Sequence, residues 1–537
     1  MTNKLCKVTF LPGRTVLEVP YKTTIMEATF KTDLSLESLC NGKGICGKCL
    51  VNVSGEVNEP NDQEHKVLGK QKRDNLRLAC KTEILGDVEV TLPNAEKYHT
   101  VQNGQVHEYP FDPMILYPDL EKTYGIAIDI GTTSIVVSLV ELNHTGAELS
   151  TSSCLNPQTK FGGDVVTRIS IAHEKPENTK ELRACVIEAI NELIKKMCVQ
   201  QNIDAEEIRH ISIAGNTTML HLLMGIDPIS LAQAPYTPVF VDYREVSLED
   251  IALHCHPKTV ISLLPCLSAF IGADILAGLI AIDFHRTKEP SLFIDVGTNG
   301  EIVANVRGKL VATSSAAGPA LEGMNIHCGC RAVTGAVSGF HLTDKGEIRL
   351  ETIEDAPAVG ICGSGLVEIV ADLLNWKIID ASGRFSKPDE LPENLSCHLT
   401  EFGNQPAFII YPESDIILTQ KDIRQVQLAK AAIAAAVKIL FERLEFELSM
   451  VEHVYIAGAF GYHLDQEAVK TIGLIPAELK AKMHFVGNTS KEGARLCLTS
   501  KKALEEIQKL QKDLIPLELS YAPEFMNSFI GQMNFFV

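Results

Sequence analysis

Near the start of the chain, polar and apolar positions trade places with period two, from Lys7 to Phe10 and again from Val16 to Val19. Pro12 and Gly13 between them predict a tight turn, so the pair reads as a hairpin. Thr24 to Phe30 predicts a short helix, Cys49 to Val53 a strand ended by a turn at Ser54-Gly55, and Val88 to Leu92 a last strand. Hairpin, helix, loop and strands form a β-grasp order over residues 1–95. Residues 96–122 lose the alternation. They are polar, extended and carry Pro110, Pro113 and Pro118, which predicts a linker that lets the first unit move.

The remainder alternates strands and helices, so its class is α/β. A near-repeat divides it. Tyr124 to Val140 (YGIAIDIGTTSIVVSLV) matches Leu292 to Val306 (LFIDVGTNGEIVANV): strand, Asp-x-Gly-Thr turn, strand. Each is followed by a later strand ending in Ala-Gly, at His210–Gly215 and His453–Gly458. Two related halves, 123–290 and 291–537, explain both matches in the same order. The most apolar stretch, Val260 to Phe284, is broken by Pro265 and Asp274 and predicts core rather than a membrane span.

Composition narrows the function classes. The chain has 537 residues and a net charge of −19, without a Lys/Arg run, which argues against a nucleic-acid partner. Residues 1–95 hold 13 Lys/Arg and 12 Asp/Glu, about +1, so the rest carries about −20. The first ten residues show no apolar leader segment, and 15 cysteines without a leader suggest a reducing compartment. A cytoplasmic protein with no membrane partner is the expectation.

Four of those cysteines are spaced for a metal. Cys40, Cys46 and Cys49 give C-x5-C-x2-C, and Cys80 follows. Four thiolates suit a 2Fe–2S cluster, two per iron. Gly42, Gly44 and Gly47 let the loop wrap tightly and turn N–H groups toward sulfur. The same glycines mimic a dinucleotide fingerprint and a P-loop, but both need a strand before and a helix after. A four-cysteine zinc site is the competing reading; the asymmetric spacing disfavours it. Cys328, Cys330 and Cys362 could form a second thiolate site, although burial as free thiols is the plainer expectation.

The two Asp-x-Gly-Thr turns carry the second chemistry. Asp129-Ile-Gly131-Thr132-Thr133-Ser134 and Asp295-Val-Gly297-Thr298-Asn299-Gly300 each offer backbone N–H and hydroxyl donors to phosphate, with an Asp placed for hydrated Mg²⁺. Facing each other, they would clamp a triphosphate. Gly458 and Gly461, at the end of the later strand, are candidates for close approach to adenosine. Gly318, Gly363 and Ser364 lie in further Gly-rich turns and are candidates for ligand contact or hinges.

These phosphate hairpins and the adenosine glycines resemble the superfamily of sugar and acetate kinases, heat-shock chaperone ATPases and actin, with a duplicated ribonuclease H-like core. Joined to an N-terminal ferredoxin, the chain resembles the ATP-dependent reductive activators of corrinoid proteins over nearly its whole length. The segments that carry this include Ser38-Leu-Cys40 to Cys49, Arg77-Leu-Ala-Cys80, Asn156 to Val165, Ile213 to Met219 and Gly318 to Gly323. Some members carry an extra domain between linker and core; here Tyr124 opens the core soon after the linker, so that domain is expected to be absent. The resemblance implies the following reaction. An unidentified low-potential donor supplies an electron to the 2Fe–2S cluster, and ATP and Mg²⁺ drive its transfer to a partner's corrinoid. Co(II) becomes Co(I), ready for methyl transfer. Asp129 and Asp295 are the catalytic candidates, and a homodimer is implied by the same likeness. Two alternatives stay open: an activator of a radical dehydratase or other low-potential enzyme, and a redox- or nucleotide-sensing module without turnover. No general base can be picked from the sequence.

Overall fold

The computed structural model describes all residues except 1–3, 12–13, 30–31, 33–35, 37–41, 43, 45–46, 48, 69–74, 93–101, 115–121, 459–463, 520–521 and 537. Two compact units emerge: Met1–Lys97 with Pro157–Ile171, and Tyr98–Asn156 with Ala172–Val537.

In the first unit, strands β1 (Leu5–Leu11), β2 (Thr15–Pro20), β3 (Leu50–Val57), β4 (Leu76–Leu78) and β5 (Ile84–Thr91) form one sheet in the order β2-β1-β5-β3-β4. The alternation predicted for β1 is seen directly: Cys6, Val8 and Phe10 are buried and their neighbours face outward. The parallel pairing of β1 with β5 beside a β1–β2 hairpin is the β-grasp arrangement. The expected turn at Ser54-Gly55 is not a turn. β3 runs through it, and Gly55 takes φ +120 at a register shift, where a Cβ would lie 2.3 Å from the Asp87 carbonyl oxygen. A bulge and a turn both call for glycine, which is why the residue alone misleads. The helix Asp62–Leu68 and strand β4 add to the predicted elements; the helix opens on a capping box, with Asn61 Oδ1 accepting the Glu64 N–H at 2.9 Å and Glu64 accepting the Asn61 N–H at 3.1 Å. Both are held by buried Glu64, which takes Arg77 Nε and Nη2 at 3.0 and 3.1 Å and the Leu78 N–H at 3.1 Å. In the second segment of this unit, buried Arg168 donates to Gly162 O and Gln158 Oε1 at 2.9 and 3.2 Å.

The second unit contains the repeat. Strands β6 (Tyr124–Ile130), β7 (Ser134–Glu141), β8 (Glu148–Leu155), β9 (Ile208–Gly215), β10 (Arg244–Val246) and β11 (Val260–Leu263) form a sheet ordered β10-β11-β9-β6-β7-β8. Strands β12 (Ser291–Val296), β13 (Gly300–Val306) and β14 (Lys309–Ser315) are followed by β15 (Ala336–Leu342), β16 (Ile348–Thr352) and β17 (Gly360–Ile361) in one small sheet and β18 (Leu399–Phe402), β19 (Gln405–Tyr411) and β20 (Ile416–Thr419) in another. β12, β13 and β14 lie beside the later β21 (His453–Ala457), β22 (Lys482–Gly487) and β23 (Ile515–Pro516), ordered β22-β21-β12-β13-β14-β23. The series β9-β6-β7-β8 and β21-β12-β13-β14 are the same topology twice, and the registers agree. Asp129 pairs with Ala214 across β6–β9, and Asp295 pairs with Ala457 across β12–β21. The apolar run from Val260 splits into β11 and the buried helix Ala273–Ala281, as core. Among the described residues no helix is long and apolar enough to cross a membrane.

The described linker residues are not loose. Gly104 bridges to Gly487 and Asp112 to Ser500, so the stretch lies along the core from Gln102 to Asp112.

Candidate functional site

Two sites follow from these frames. In the first unit, Cys49 and Cys80 are buried with their sulfurs 3.3 Å apart. That is far beyond the ~2.05 Å of a disulfide and suits two thiolates sharing a metal centre. Ala79 fixes the pair, since its N–H donates to Cys49 O at 2.8 Å while its carbonyl takes the Met26 N–H at 3.1 Å. Gly42, Gly44 and Gly47 have φ of 73, 74 and 71. This is the left-handed backbone that a tightly wrapped cluster loop requires. Cys40 and Cys46 lie outside the described residues. Cys328, Cys330 and Cys362 do not gather into a metal-holding group among the described residues.

In the second unit, the two Asp-x-Gly-Thr turns line one cleft of ≈ 800 Å³, a volume suited to a nucleotide. Each turn is closed by its own backbone: Gly131 N–H donates to Ser134 O and Gly297 N–H to Asn299 O, both at 2.9 Å. Of the sequence candidates, Asp129, Gly131, Thr132, Thr133, Asp295, Gly297, Thr298, Asn299, Gly363, Ser364 and Gly458 all line the cleft. Gly458 stands where a Cβ would meet Val296 O at 2.5 Å, so the backbones of β12 and its neighbour close up only with glycine there. Gly363 and Ser364 begin the helix Gly363–Asn375, whose N-terminus favours an anion. Gly318 does not line the cleft. Its φ of 76 opens the short turn Pro319–Glu322 that delivers Glu322 to it. Gly461 lies outside the described residues.

Glu322 joins the turns of the two halves. Thr133 Oγ1 donates to one of its carboxylate oxygens and Thr298 Oγ1 to the other, each at 2.8 Å. Asp129 is buried and doubly held: Ser490 Oγ donates at 2.7 Å and Asn488 Nδ2 at 3.0 Å. Burial pushes its carboxyl up, against the pull of those two bonds and of Lys491. Burial, then Asp129 and Glu322, push Asp295 up to about 7. Burial, then Asp295 and Asp129, push Asp274 up to about 8. Glu301 is raised well above the carboxylate range by burial and by Asp274 and Asp295. Arg331 is the one cationic side chain among the described residues lining the cleft. Carboxylates that raise one another's pKa in this way form a set whose repulsion a divalent cation would relieve.

Asn216, Asp274, Glu301, Glu322, Asn488 and Ser490 were not singled out as site residues in the sequence. One signal was available. Gly215-Asn216-Thr217-Thr218 and Gly487-Asn488-Thr489-Ser490 repeat the same pattern at the ends of β9 and β22. Each Asn caps the following helix, accepting from Met219 N and Lys491 N respectively. Both then turn their amides on the first Asp-x-Gly-Thr turn, Asn216 to Thr132 Oγ1 at 2.9 Å and Asn488 to Asp129 at 3.0 Å.

Known proteins align with both sites. Family models match residues 9–85 as a 2Fe-2S iron-sulfur cluster binding domain, 124–287 as the RACo middle region, and 289–537 as the C-terminal domain of RACo, the ASKHA domain. The chain is 32% identical to the corrinoid activation enzyme RamQ of Eubacterium limosum, with 97% of each chain covered. It is 28% identical to a Methanosarcina barkeri reductase of a Co(II) methylated amine-specific corrinoid protein, over 77% of each. A solved structure of a reductive activator for corrinoid, iron-sulfur protein superposes with TM-score 0.72 at 29% identity, covering 99% of this chain and 98% of that one.

Proposed function

The chain belongs to the family of reductive activators of corrinoid proteins, and we propose that it uses ATP to pass one electron to a corrinoid held by a separate protein. The partner's inactive Co(II) is thereby returned to Co(I), the state that accepts a methyl group. The observation that carries this reading is the presence, in one chain, of a paired-thiol ferredoxin sheet and a two-hairpin nucleotide cleft.

Cys49 and Cys80, with Cys40 and Cys46, would hold a 2Fe–2S group, which supplies a one-electron redox centre when bound. In the cleft, the hydroxyls of Thr132, Thr133 and Thr298 and N–H groups of the two turns would hold phosphates. Asp129 and Asp295 would position Mg²⁺, with Asn488 and Ser490 holding the first of them. Coupling to ATP would serve a corrinoid whose cobalt is reduced below the roughly −400 mV of plant-type clusters, since the transfer then runs uphill. One electron moved 59 mV uphill costs about 1.4 kcal/mol, so a coupling of about 3 kcal/mol bridges about 130 mV. The electron donor is a low-potential carrier, and the assembly we propose is a homodimer, which light scattering would check.

The test is direct. The purified chain, a chemical reductant and a corrinoid protein are mixed, and cobalt oxidation state is followed by EPR with and without ATP. Co(I) should accumulate only with ATP. Equal rate and extent without nucleotide would refute the coupling.

A further inference from the structure

The linker enters the nucleotide cleft. Gln102 and Asn103 line it together with the phosphate hairpins. Both are tied in place: Gln102 Nε2 donates to Ser153 Oγ at 2.9 Å, and Asn103 O accepts the Asn488 N–H at 3.2 Å. Asn488 is the residue whose side chain holds Asp129. Asn103 Oδ1 also takes Lys491 Nζ at 3.4 Å, a buried ammonium shared with Glu148 and Glu492 at 2.7 and 2.6 Å. Beyond the cleft the strap continues. Gln105 N–H donates to Val486 O at 2.8 Å, Tyr109 Oη to Glu506 at 2.7 Å, and Asp112 N–H to Thr499 O at 3.0 Å. Phe111 lies over Gly146, where a Cβ would meet its ring at 2.8 Å. Gly104 sits so close to the core that a Cβ would lie 2.7 Å from Asn488 O and 2.9 Å from Val486 O.

We infer that Gln102 and Asn103 are part of the nucleotide site, so that a bound nucleotide holds the linker against the core. The inference rests on the reading of the cleft as a nucleotide site. A ligand shifts an equilibrium only by its difference in affinity for the two states. Nucleotide touches Gln102 and Asn103 only when the strap is docked, so its binding favours docking and its loss favours release. Release changes the tether. The ten residues 92 to 101 lie between β5 and Gln102, and fully extended they span at most about 35 Å. Freeing the strap through Asp112 roughly doubles that length. Nucleotide occupancy thus sets how much slack the chain between β5 and the core has.

Amide hydrogen exchange in the full, cluster-loaded chain tests this, with and without a non-hydrolysable ATP analogue and Mg²⁺. Exchange at Gln105 and Asp112 should slow at least about tenfold when the analogue binds. Linkage requires the reciprocal effect. Gly104→Val, which forces the strap off the backbone of Val486 and Asn488 without lining the cleft, should weaken analogue binding about tenfold. Tyr109→Phe, milder and also outside the cleft, should weaken it about two- to threefold while the cluster absorbance stays unchanged. Normal analogue affinity in both variants, or unchanged exchange in saturated wild type, overturns the inference alone. Wild type that binds no nucleotide overturns the cleft reading and this inference with it.

Discussion

Thr133 donates its hydroxyl to Glu322 at 2.8 Å, and so ties the Asp-x-Gly-Thr turn of the first half to a carboxylate carried by the second. Thr298 holds the other oxygen of the same group. An anion therefore sits between the two hydroxyls that would receive phosphate. Glu322→Gln should bind ADP about tenfold more tightly by calorimetry at low salt, because a neutral side chain no longer repels the polyphosphate. Thr133→Val and Thr298→Val should each weaken binding about tenfold or more, the usual value of a hydrogen bond to a charged group. Weaker binding in Glu322→Gln would show that the carboxylate assists the ligand rather than occupying its place.

Asp295→Asn should abolish ATP-dependent reduction of a corrinoid partner, by about two orders of magnitude or more, and leave the cluster's visible spectrum intact. Cys80→Ser should do the converse, losing the spectrum and keeping nucleotide affinity. Joint loss in either variant would contradict two separate sites.

The cleft acids predict a pH dependence of a definite sign. Asp295 and Asp274 titrate at about 7 and about 8 in the fold, above the ordinary 3.8 of an aspartate. The folded state therefore binds protons that the unfolded state has released. Stability of the ligand-free protein should fall as pH rises from about 4 to about 8, and the loss is complete above that. Calorimetric Tm across this range checks it, and Asp295→Asn should flatten the curve. Glu64 works in another window. Burial opposes its charge, but Arg77 and the Leu78 and Asn61 N–H groups outweigh that and hold the carboxyl low. Its contribution is present above the ordinary glutamate value and is lost only as pH falls below it.

That buried pair makes its own prediction. Arg77 and Glu64 have side chains 7% and 0% exposed. Arg77→Leu leaves the buried Glu64 carboxylate without its countercharge, which costs about 3–5 kcal/mol. The ferredoxin sheet should melt early and lose its iron, while nucleotide binding by the other unit persists.

How much of this was legible in the chain differs from site to site. β1, the cysteine spacing and the two Asp-x-Gly-Thr turns are local patterns, set by a period of two, by ligand count and by what a tight turn tolerates. Except for Cys80, they can be read in windows of about a dozen residues, and the repeat of HISIAG in HVYIAG made the duplication readable too. Gly55 shows the limit of such windows, since its identity fits a turn or a bulge equally.

What the tertiary structure alone decided is which distant residues share a carboxylate or a cavity. Glu322 reads as a polar residue in a Gly-rich turn until the turn is folded against Thr133 and Thr298. Asn488 reads as a helix cap until β22 brings it to Asp129. The linker reads as a tether because its prolines and polar residues lack periodicity, yet Gly104 and Asn103 find partners on β22 and the helix after it. Hydrogen bonds between segments hundreds of residues apart leave no periodic trace in sequence. Short-range chemistry was therefore written along the chain, and the geometry joining the cleft, its carboxylates and the linker came only with its folding.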